Sequence, residues 1–430
     1  MRLFAAALII AVVLVLFSVC SGKSKTADEA DRGGVRSALG DAEAGAPDAA
    51  FAAERKRAAR IAASLDDRLL AAQVTLCGID GRGSLQPDMR GLLEECPAGG
   101  IILFRYNLDT DNESIRSLIQ ECADLIASES LGGVEPEGET AWRGILPFVA
   151  VDHEGGSVNR FKSGVADLPP AGGYWELAQQ EGRDRAVARI EADSFISGLA
   201  IKDMGFNLNL APVAERLNDG NRDFLDDRLY GPDTVFTAEA AAAFIRGMER
   251  AGILCAIKHF PGSAGPDPHR FPSILRGDRA ALDELTAPFA ALIRGGQARA
   301  LVAAHSAIPA RDLERIASLS APVMDGWLRN ELGFEGIIIS DDFSMAAAGT
   351  FTAAADKAAG AGPPLSTEAA AVLSLAAGAD MVLVWPPDIR RTHRAIRAAL
   401  SEGALSRERL REAAARIIFE KIRMGLLDEQ

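Results

Sequence analysis

The chain has 430 residues, and 48% of them are hydrophobic, which is enough to form one large core or two or three smaller ones. Its 46 Lys and Arg residues are outnumbered by 60 Asp and Glu residues, so the formal net charge is −14. An acidic chain lacks the basic surface that attracts a nucleic acid backbone, which argues against nucleic acid as a partner. The composition favours a globular protein of enzyme size.

The N-terminus carries the clearest targeting signal. A nearly unbroken apolar run of 17 residues, 3–19, follows Arg2 and ends at Cys20, where polar residues begin. This pattern predicts a bacterial export segment over residues 1–20. The segment ends in LFSVC and resembles a lipobox, in which the cysteine is lipidated, so Cys20 is the predicted lipidation site. An uncleaved anchor and ordinary cleaved secretion are the alternatives, since so short a run is marginal for crossing a bilayer.

The segment that follows is polar and poor in large apolar side chains. From Ser21 to about Ala50, Val35 and Leu39 are the only larger aliphatic residues. Such a composition buries too little apolar area to offset the entropy lost on ordering. We therefore expect residues 21–58 to form a disordered tether that holds a folded domain, residues 59–430, away from a membrane surface. The expected location is the outside of a bacterial cell membrane, in the periplasm or beyond.

Four cysteines remain after Cys20, and none of them belongs to a CxxC pair or to a Cys/His cluster with metal-ligand spacing. The sequence therefore predicts no metal site, and no other feature suggests an organic cofactor. Cys77 and Cys255 lie inside apolar runs, where a free thiol packs as a small hydrophobic side chain. We expect both to be buried free thiols.

Short apolar, β-branched runs alternate with longer stretches of helical periodicity through the rest of the chain, a pattern typical of strands and helices around a parallel sheet. Helical periodicity covers residues 114–127, 185–204, 238–251, 282–294, 321–332, 367–377 and 407–424. The candidate strands are residues 74–77, 100–104, 148–152, 206–210, 254–259, 300–305, 337–341 and 381–385. Eight parallel strands close a barrel, so the predicted fold is a single α/β domain, a (β/α)8 TIM-like barrel. A doubly wound open sheet is the alternative, but residues 78–83 lack the GxGxxG spacing expected after its first strand.

Several of these strands end on a charged or imidazole side chain. Asp152, the pair Lys258 and His259, His305 and Asp341 each come at the end of an apolar run. The carboxyl ends of the strands form the catalytic face of such a barrel, which predicts an active site there. Four of the five histidines lie at or just after strand ends, namely His153, His259, His269 and His305.

Residues 151–160, VDHEGGSVNR, resemble the DxEGGxVxR segment of glycoside hydrolase family 3. The longest further match runs from Leu328 to Met345 and includes the segment SDDFSM. Together the blocks span about residues 65–428, and the hexosaminidase branch of the family is the most similar. The other matching blocks, in the family's order, are GGIILF at 99–104, NLNLAPV at 207–213, KHFPG at 258–262 and AH at 304–305.

This resemblance implies a retaining reaction in which Asp341 attacks the anomeric carbon and forms a covalent glycosyl-enzyme intermediate. Most retaining enzymes use a second carboxylic acid as the acid/base. The resemblance implies an exception here, because in hexosaminidases of this family a histidine on a loop after the fifth strand serves as the acid/base. His269 and the orienting Asp267 fall on those positions. Asp342 is expected to point away from the site by strand alternation and to have a structural role.

The same resemblance assigns substrate contacts to five residues. It implies that Asp152 accepts hydrogen bonds from sugar hydroxyls and that Arg160 and Arg228 hold the sugar or its acetamido surroundings. Lys258 and His259 are both expected to reach the sugar, which requires a bulge or an unusual peptide at the strand end. The loop at 262–269 departs from the family: GSAG replaces the usual GHGD, and Pro268 replaces the middle serine of DSH. Pro268 restricts the preceding Asp267 and is expected to stiffen the loop.

The expected function is an exo-acting β-N-acetylhexosaminidase that releases terminal β-linked N-acetylglucosamine from peptidoglycan fragments or chitooligosaccharides. The KHFPG block, the DxH loop and the single-domain length favour this branch, and a monomer is expected. A β-glucosidase or β-xylosidase and an N-acetylglucosaminide phosphorylase of the same family are alternative enzymes. The alternative without catalysis is a lipid-anchored glycan-binding protein, which the altered loop motivates.

Overall fold

The computed structural model describes residues 47–130, 133–134, 141–162, 164–265, 267–348 and 365–429. Within these residues, the central element is an eight-stranded parallel sheet. Its strands, β1 to β8 in chain order, are Thr75–Gly78, Gly100–Ile102, Phe148–Val151, Leu208–Asn209, Leu254–Phe260, Ala300–Ala303, Ile337–Ser340 and Val382–Val384. They are arranged in the order β7-β6-β5-β4-β3-β2-β1-β8. A parallel bridge between Ile339 and Met381 joins β7 to the residue before β8 and closes the sheet on itself. The predicted (β/α)8 barrel is therefore confirmed.

Helices fill every connection between consecutive strands, as the barrel requires. Asp or Ser side chains cap several of them by accepting a hydrogen bond from a backbone N–H of the first turn, which explains why these helices start where they do. The capping residues are Asp66, Asp111, Asp233, Asp278, Ser366 and Ser406. The α-helices are Pro47–Ser64, Asp67–Gln73, Pro87–Glu95, Arg105–Leu108, Asn112–Glu129, Ala171–Glu181, Arg183–Asp203, Arg222–Leu225, Thr234–Arg250, Arg279–Leu285, Ala287–Arg294, Thr367–Ala377, Pro386–Glu402 and Arg407–Arg423.

Two helical predictions differ from the structure in detail. The stretch predicted over 282–294 forms two helices that meet at Thr286, because Pro288 cannot continue the hydrogen-bond ladder of the first. The stretch predicted over 321–332 forms a π-helix, Pro322–Glu331, in which Leu332 N donates to Trp327 O at 2.9 Å. Single-turn 3₁₀ segments cover Asp226–Arg228, Ala317–Leu319 and Ala346–Ala348.

Both faces of the barrel strands are buried, as parallel strands covered by helices require. Successive side chains of β7 show the alternation: Ile337 and Ile339 belong to one apolar cluster and Ile338 to another that includes the surrounding helices. The Cys77 and Cys255 thiols are free and buried, which confirms that prediction. Burial raises the pKa of Cys77 to about 12. Short strands outside the barrel are Gly133–Val134, Ala141–Ile145 and Leu427–Glu429, which pair antiparallel, and Ser273–Ile274 and Ser306–Ala307, which pair parallel.

The N-terminal boundary of the folded domain differs from the sequence prediction. The helix Pro47–Ser64 includes the last part of the predicted tether, and Ala58 within it is fully buried. A disordered tether over 21–58 is therefore wrong at its C-terminal end, because alanines that pack against a core favour a helix. Cys20, the export segment and the remainder of the tether lie outside the described residues. Within the described part, no helix is long and apolar enough to span a bilayer.

Candidate active site

A pocket of about 880 Å³ opens at the carboxyl ends of the barrel strands. The structure brings seven of the eight predicted catalytic and substrate-binding residues into its lining: Asp152, Arg160, Arg228, Lys258, His259, His269 and Asp341. The eighth, Asp267, contacts the His269 side chain. A pocket of this size at this face of a barrel is the expected place for a small-molecule substrate.

The floor of the pocket is a buried network of four charged residues. Lys258 Nζ lies 2.7 Å from Asp152 Oδ1 and 2.7 Å from Glu154 Oε1. Arg228 donates two hydrogen bonds to Glu154, from Nε at 2.8 Å and from Nη2 at 2.9 Å. Because each charge faces an opposite charge, the network offsets the cost of burying these groups.

These contacts decide the protonation states in the floor. Burial opposes ionisation of the Asp152 and Glu154 carboxyls, but the nearby cations outweigh it and hold both pKa values below their usual range. Burial likewise opposes the charge on Lys258, yet the two carboxylates raise its pKa above the ordinary value. All three groups are therefore charged at neutral pH, and they present fixed acceptors and donors to a polar ligand.

A tight turn after β3 places Glu154 and Arg160. Gly155 and Gly156 adopt positive φ angles of 97° and 51°, and Glu154 N donates to Val158 O at 3.0 Å. A Cβ atom on Gly155 would lie 2.6 Å from Pro169 O, so the turn requires glycine there. The turn directs the chain back across the strand end, and Arg160 Nη2 reaches to 3.4 Å from Asp152 Oδ2.

The end of β5 presents both Lys258 and His259 to the pocket, as expected. The pairing of β5 with β6 shifts register between Ile257 and Phe260, which interrupts the alternation of side chains. The Lys258–His259 peptide bond is cis. The His259 ring is fixed from behind by Glu215, whose Oε1 lies 2.8 Å from His259 Nδ1.

The β7 strand ends at Ser340, and Asp341 is the next residue, half-buried in the pocket wall. Asp341 Oδ1 accepts a hydrogen bond from Asp342 N at 2.9 Å. The Asp342 carboxylate accepts from Trp385 Nε1 at 2.7 Å and from Ser344 Oγ at 2.7 Å, contacts that stabilise the loop. Asp342 also borders the pocket, and the contacts of its carboxylate within the loop agree with the structural role predicted for it.

His305 supports this loop from the end of β6. Its Nε2 lies 3.0 Å from Asp342 O, its Nδ1 lies 2.7 Å from Ser318 Oγ, and its ring stacks on Phe343. Burial lowers the pKa of His305, although the neighbouring Asp341 charge opposes this effect. The neutral His305 ring is therefore protonated at Nε2, because the carbonyl oxygen of Asp342 can only accept. Its Nδ1 accepts a hydrogen bond from the Ser318 hydroxyl.

The loop after β5 brings Asp267 and His269 together. Asp267 Oδ1 lies 2.7 Å from His269 Nδ1 and accepts from His269 N at 2.9 Å. Burial opposes ionisation of the Asp267 carboxyl, but the hydrogen bonds from His269 and the nearby positive charges together outweigh it and lower its pKa. The loop is attached to the segment after Asp341, where Ala346 N donates to His269 O at 3.2 Å and Ala347 N donates to Pro268 O at 3.0 Å. The His269 side chain stays 63% exposed at the pocket rim, where it can meet a ligand.

His153, although it follows a strand end, does not line the pocket. It is fully buried, its Nε2 lies 2.7 Å from Ser197 Oγ, and burial lowers its pKa to about 4. It is therefore a core residue. Two further carboxylates, Glu154 and Glu215, belong to the site although the sequence does not predict a role for them. Glu154 stands inside the DxEGG segment, whereas no motif marks Glu215.

The arrangement can support acid/base-assisted displacement at a carbon centre. Asp341 offers a carboxylate, the Asp267–His269 pair offers a proton donor and acceptor, and the charged floor offers hydrogen-bond partners for a polyhydroxylated ligand. In retaining glycosidases a nucleophilic carboxylate and an acid/base group serve the same bond from one pocket.

Comparisons with known proteins identify relatives of this chain. Residues 72–419 match the family model described as the glycosyl hydrolase family 3 N terminal domain. A curated relative from Methylococcus capsulatus, named beta-hexosaminidase, is 33% identical over 306 residues, covering 70% of this chain and 79% of the relative. Another beta-hexosaminidase, from Stenotrophomonas maltophilia, is 32% identical over 324 residues, covering 73% of this chain and 84% of the relative.

Two solved structures show the same likeness. A family 3 β-N-acetylglucosaminidase from Paenibacillus aligns with a TM-score of 0.70 and 27% identity over 84% of this chain, which spans only 63% of that longer protein. NagZ from Neisseria gonorrhoeae, solved with N-trifluoroacetyl-D-glucosamine, aligns with a TM-score of 0.63 and 26% identity over 80% of this chain and 89% of its own. The resemblance in the sequence motifs is thus confirmed: the chain belongs to glycosyl hydrolase family 3 and is a glycoside hydrolase.

Proposed function

We propose that this enzyme is a retaining, exo-acting β-N-acetylhexosaminidase that releases terminal β-linked N-acetylglucosamine. One observation carries the proposal: Asp341 and His269, which is paired to Asp267, line a single pocket whose floor is the charged network around Lys258. The relatives support the choice of sugar, because their names specify hexosaminidase and β-N-acetylglucosaminidase activity.

The first displacement forms a bond between an Asp341 carboxylate oxygen and the anomeric carbon while the glycosidic C–O bond breaks. The His269 imidazolium gives its proton to the leaving oxygen, and Asp267 stabilises the charged ring before this transfer. In the second displacement His269 takes a proton from water, the water oxygen attacks the same carbon, and Asp341 leaves. Two inversions return the original anomeric configuration.

The pocket floor selects a terminal sugar in this proposal. Asp152 Oδ2, whose contact with Arg160 is long at 3.4 Å, accepts a hydrogen bond from a sugar hydroxyl. Lys258 donates to a neighbouring hydroxyl, His259 forms a hydrogen bond with another, and Arg160 and Arg228 hold the acetamido surroundings. Because the floor is closed by buried charges, the chain of sugars extends only outward, which gives exo action.

The proposed substrates are peptidoglycan fragments or chitooligosaccharides outside the cytoplasmic membrane. The apolar run before Cys20 supports export, and a diacylated Cys20 would hold the enzyme on the membrane as a monomer. Incorporation of labelled palmitate into the wild-type chain, lost in Cys20→Ala, tests the anchor. Labelling that persists in the variant excludes Cys20 as the lipid site.

The substrate is tested by the release of 4-nitrophenol from its β-N-acetylglucosaminide and its β-glucoside. We expect kcat/KM to favour the acetamido sugar by at least about 100-fold, since a site built for hydrogen bonds to the amide leaves them unpaired with glucose. Equal rates would support a β-glucosidase instead.

Added phosphate distinguishes a phosphorylase from a hydrolase, because with a phosphorylase it would raise turnover and yield a sugar 1-phosphate. Binding of N-acetylglucosamine by the folded protein without any turnover would support a glycan-binding protein.

A further inference from the structure

Glu215 is a buried carboxylate just behind the pocket floor, and its side chain has no exposed surface. The segment that carries it is fixed to β5 by two backbone hydrogen bonds, Lys258 N to Pro212 O at 3.0 Å and Ala214 N to Lys258 O at 2.8 Å. These bonds hold the carboxylate beside the end of β5. Glu215 is absent from the pocket lining, so it acts through the residues that it contacts.

The contacts of Glu215 fall on two residues. Oε1 lies 2.8 Å from His259 Nδ1 and accepts from His259 N at 3.3 Å. Oε2 accepts from Ser263 N at 2.6 Å, and the Ser263 hydroxyl donates to Oε1 at 3.1 Å. Backbone N–H groups can only donate, so both oxygens of Glu215 act as acceptors. Oε1 faces His259 N, His259 Nδ1 and the Ser263 hydroxyl together, a set of donors that suits a carboxylate, so we assign the proton between Glu215 and His259 to Nδ1 of the ring.

We infer that Glu215 is a positioning residue that holds His259 in the tautomer protonated at Nδ1 and anchors the start of the loop carrying His269. With Nδ1 engaged, the neutral ring has an unprotonated Nε2 as its second nitrogen, and His259 lines the pocket. His259 therefore accepts a hydrogen bond from its ligand. The ligand group that it selects is a donor, which in an N-acetylated sugar is a free hydroxyl or the acetamido N–H.

Ser263 links the same carboxylate to the acid/base loop. This residue stands where the loop departs from the family pattern, and it begins the stretch that leads to Asp267 and His269. One buried group thus fixes a ring that contacts the sugar and the entry of the loop that delivers the proton. This role in catalysis rests on the proposed function, whereas the tautomer of His259 does not.

Nitrogen-15 NMR of the histidine rings in the full chain tests the tautomer directly. The chain has five histidines, and a His259→Gln variant identifies the resonances of this ring. We expect Nδ1 to be protonated and Nε2 to be the unprotonated nitrogen at neutral pH. A ring protonated at Nε2, either alone or together with Nδ1, would overturn the inference, even if the enzyme had no activity on any sugar.

Three variants separate positioning from simple stabilisation. In Glu215→Gln the amide has one acceptor oxygen, so its NH₂ group must face either His259 Nδ1 or Ser263 N. We expect kcat/KM to fall roughly 10-fold or more, the His259 tautomer to change, and Glu215→Asp to recover part of the loss. Glu420→Gln, which removes a buried carboxylate paired with Arg299 away from the pocket, should lower Tm without changing kcat.

Two outcomes would contradict the positioning role. The first is a Glu215→Gln enzyme that keeps wild-type kcat and KM. The second is a loss of activity that matches the loss of folded protein, with the His259 tautomer unchanged. If Glu215→Gln fails to fold, the wild-type NMR measurement still decides the tautomer, and Ser263→Ala tests the loop anchor, for which we expect kcat to fall while the His259 resonances stay in place.

Discussion

Lys258 Nζ lies 2.7 Å from Asp152 Oδ1, and this buried ion pair joins the ends of the third and fifth barrel strands. The same ammonium lies 2.7 Å from Glu154, so three strand-end residues depend on one another for their charge. Because the network is shielded from water, its members stay in place before a ligand arrives. Charges that are preorganised in this way interact with a ligand more strongly than charges in water do, and they need no rearrangement during a reaction.

Replacing Asp341 with Ala should remove turnover while leaving the fold intact. The side chain supplies the proposed nucleophile, and its loss should lower kcat by at least about 10⁴-fold. Steady-state rates on an aryl β-N-acetylglucosaminide give the effect, and circular dichroism shows whether the barrel is preserved. Asp203→Ala, a change at an exposed helix end, is the matched control and should keep wild-type rates. A residual rate in Asp341→Ala within tenfold of wild type contradicts the assignment.

Replacing His269 with Ala should slow substrates with poor leaving groups by roughly 10²- to 10⁴-fold. An activated nitrophenolate needs no proton to leave, so its first displacement should be nearly unaffected. Asp267→Asn should produce a weaker form of the same pattern, because it removes the charge that stabilises the imidazolium. The measurement is kcat/KM across a series of aryl leaving groups. Equal losses on good and poor leaving groups would remove His269 from the acid role.

Replacing Glu154 with Gln should destabilise the protein by about 3–5 kcal/mol, because Arg228 and Lys258 then lose a buried counter-charge. Urea unfolding followed by circular dichroism gives the free energy. Glu284→Gln removes an exposed partner of Arg216 and should change stability by less than about 1 kcal/mol. Similar effects of the two substitutions would show that the floor network contributes little to stability.

The pH dependence of stability should reveal the buried His393. Its Nε2 lies 2.9 Å from Pro97 O, and burial lowers its pKa from 6.5 to about 4. In the unfolded chain His393 binds a proton as the pH falls below 6.5, whereas in the folded protein it binds one only when the pH is near 4. Stability from this group is therefore present above pH 6.5 and is lost as the pH falls towards 4.

When the pH is lowered from 7 to 5, His393 alone should reduce the free energy of unfolding by about 2 kcal/mol. His393→Gln keeps a donor for Pro97 O but does not titrate, so its stability should fall by about 2 kcal/mol less over that interval. Urea titrations at both pH values measure the difference. Parallel losses in the variant and the wild type would contradict the lowered pKa.

The barrel and most of the pocket could be predicted because their signals are local. Apolar runs mark the strands, and they end where a polar residue must face the site, as at Val151 before Asp152 and Ser340 before Asp341. Glu215 could not be found this way. Its partners, His259 and Ser263, lie 44 and 48 residues further along the chain, and the pairing of two neighbouring barrel strands brings them to it.

The proposed reaction requires Asp341 to hold the sugar covalently between its two displacements. A 5-fluoro-N-acetylglucosaminyl fluoride forms the intermediate but slows its hydrolysis, so the glycosyl-enzyme accumulates and can be digested and measured by mass spectrometry. We expect one labelled peptide, with the added mass on Asp341, and no label in Asp341→Ala. A label on another carboxylate such as Asp342, or turnover of this reagent without any labelled peptide, would contradict the claim.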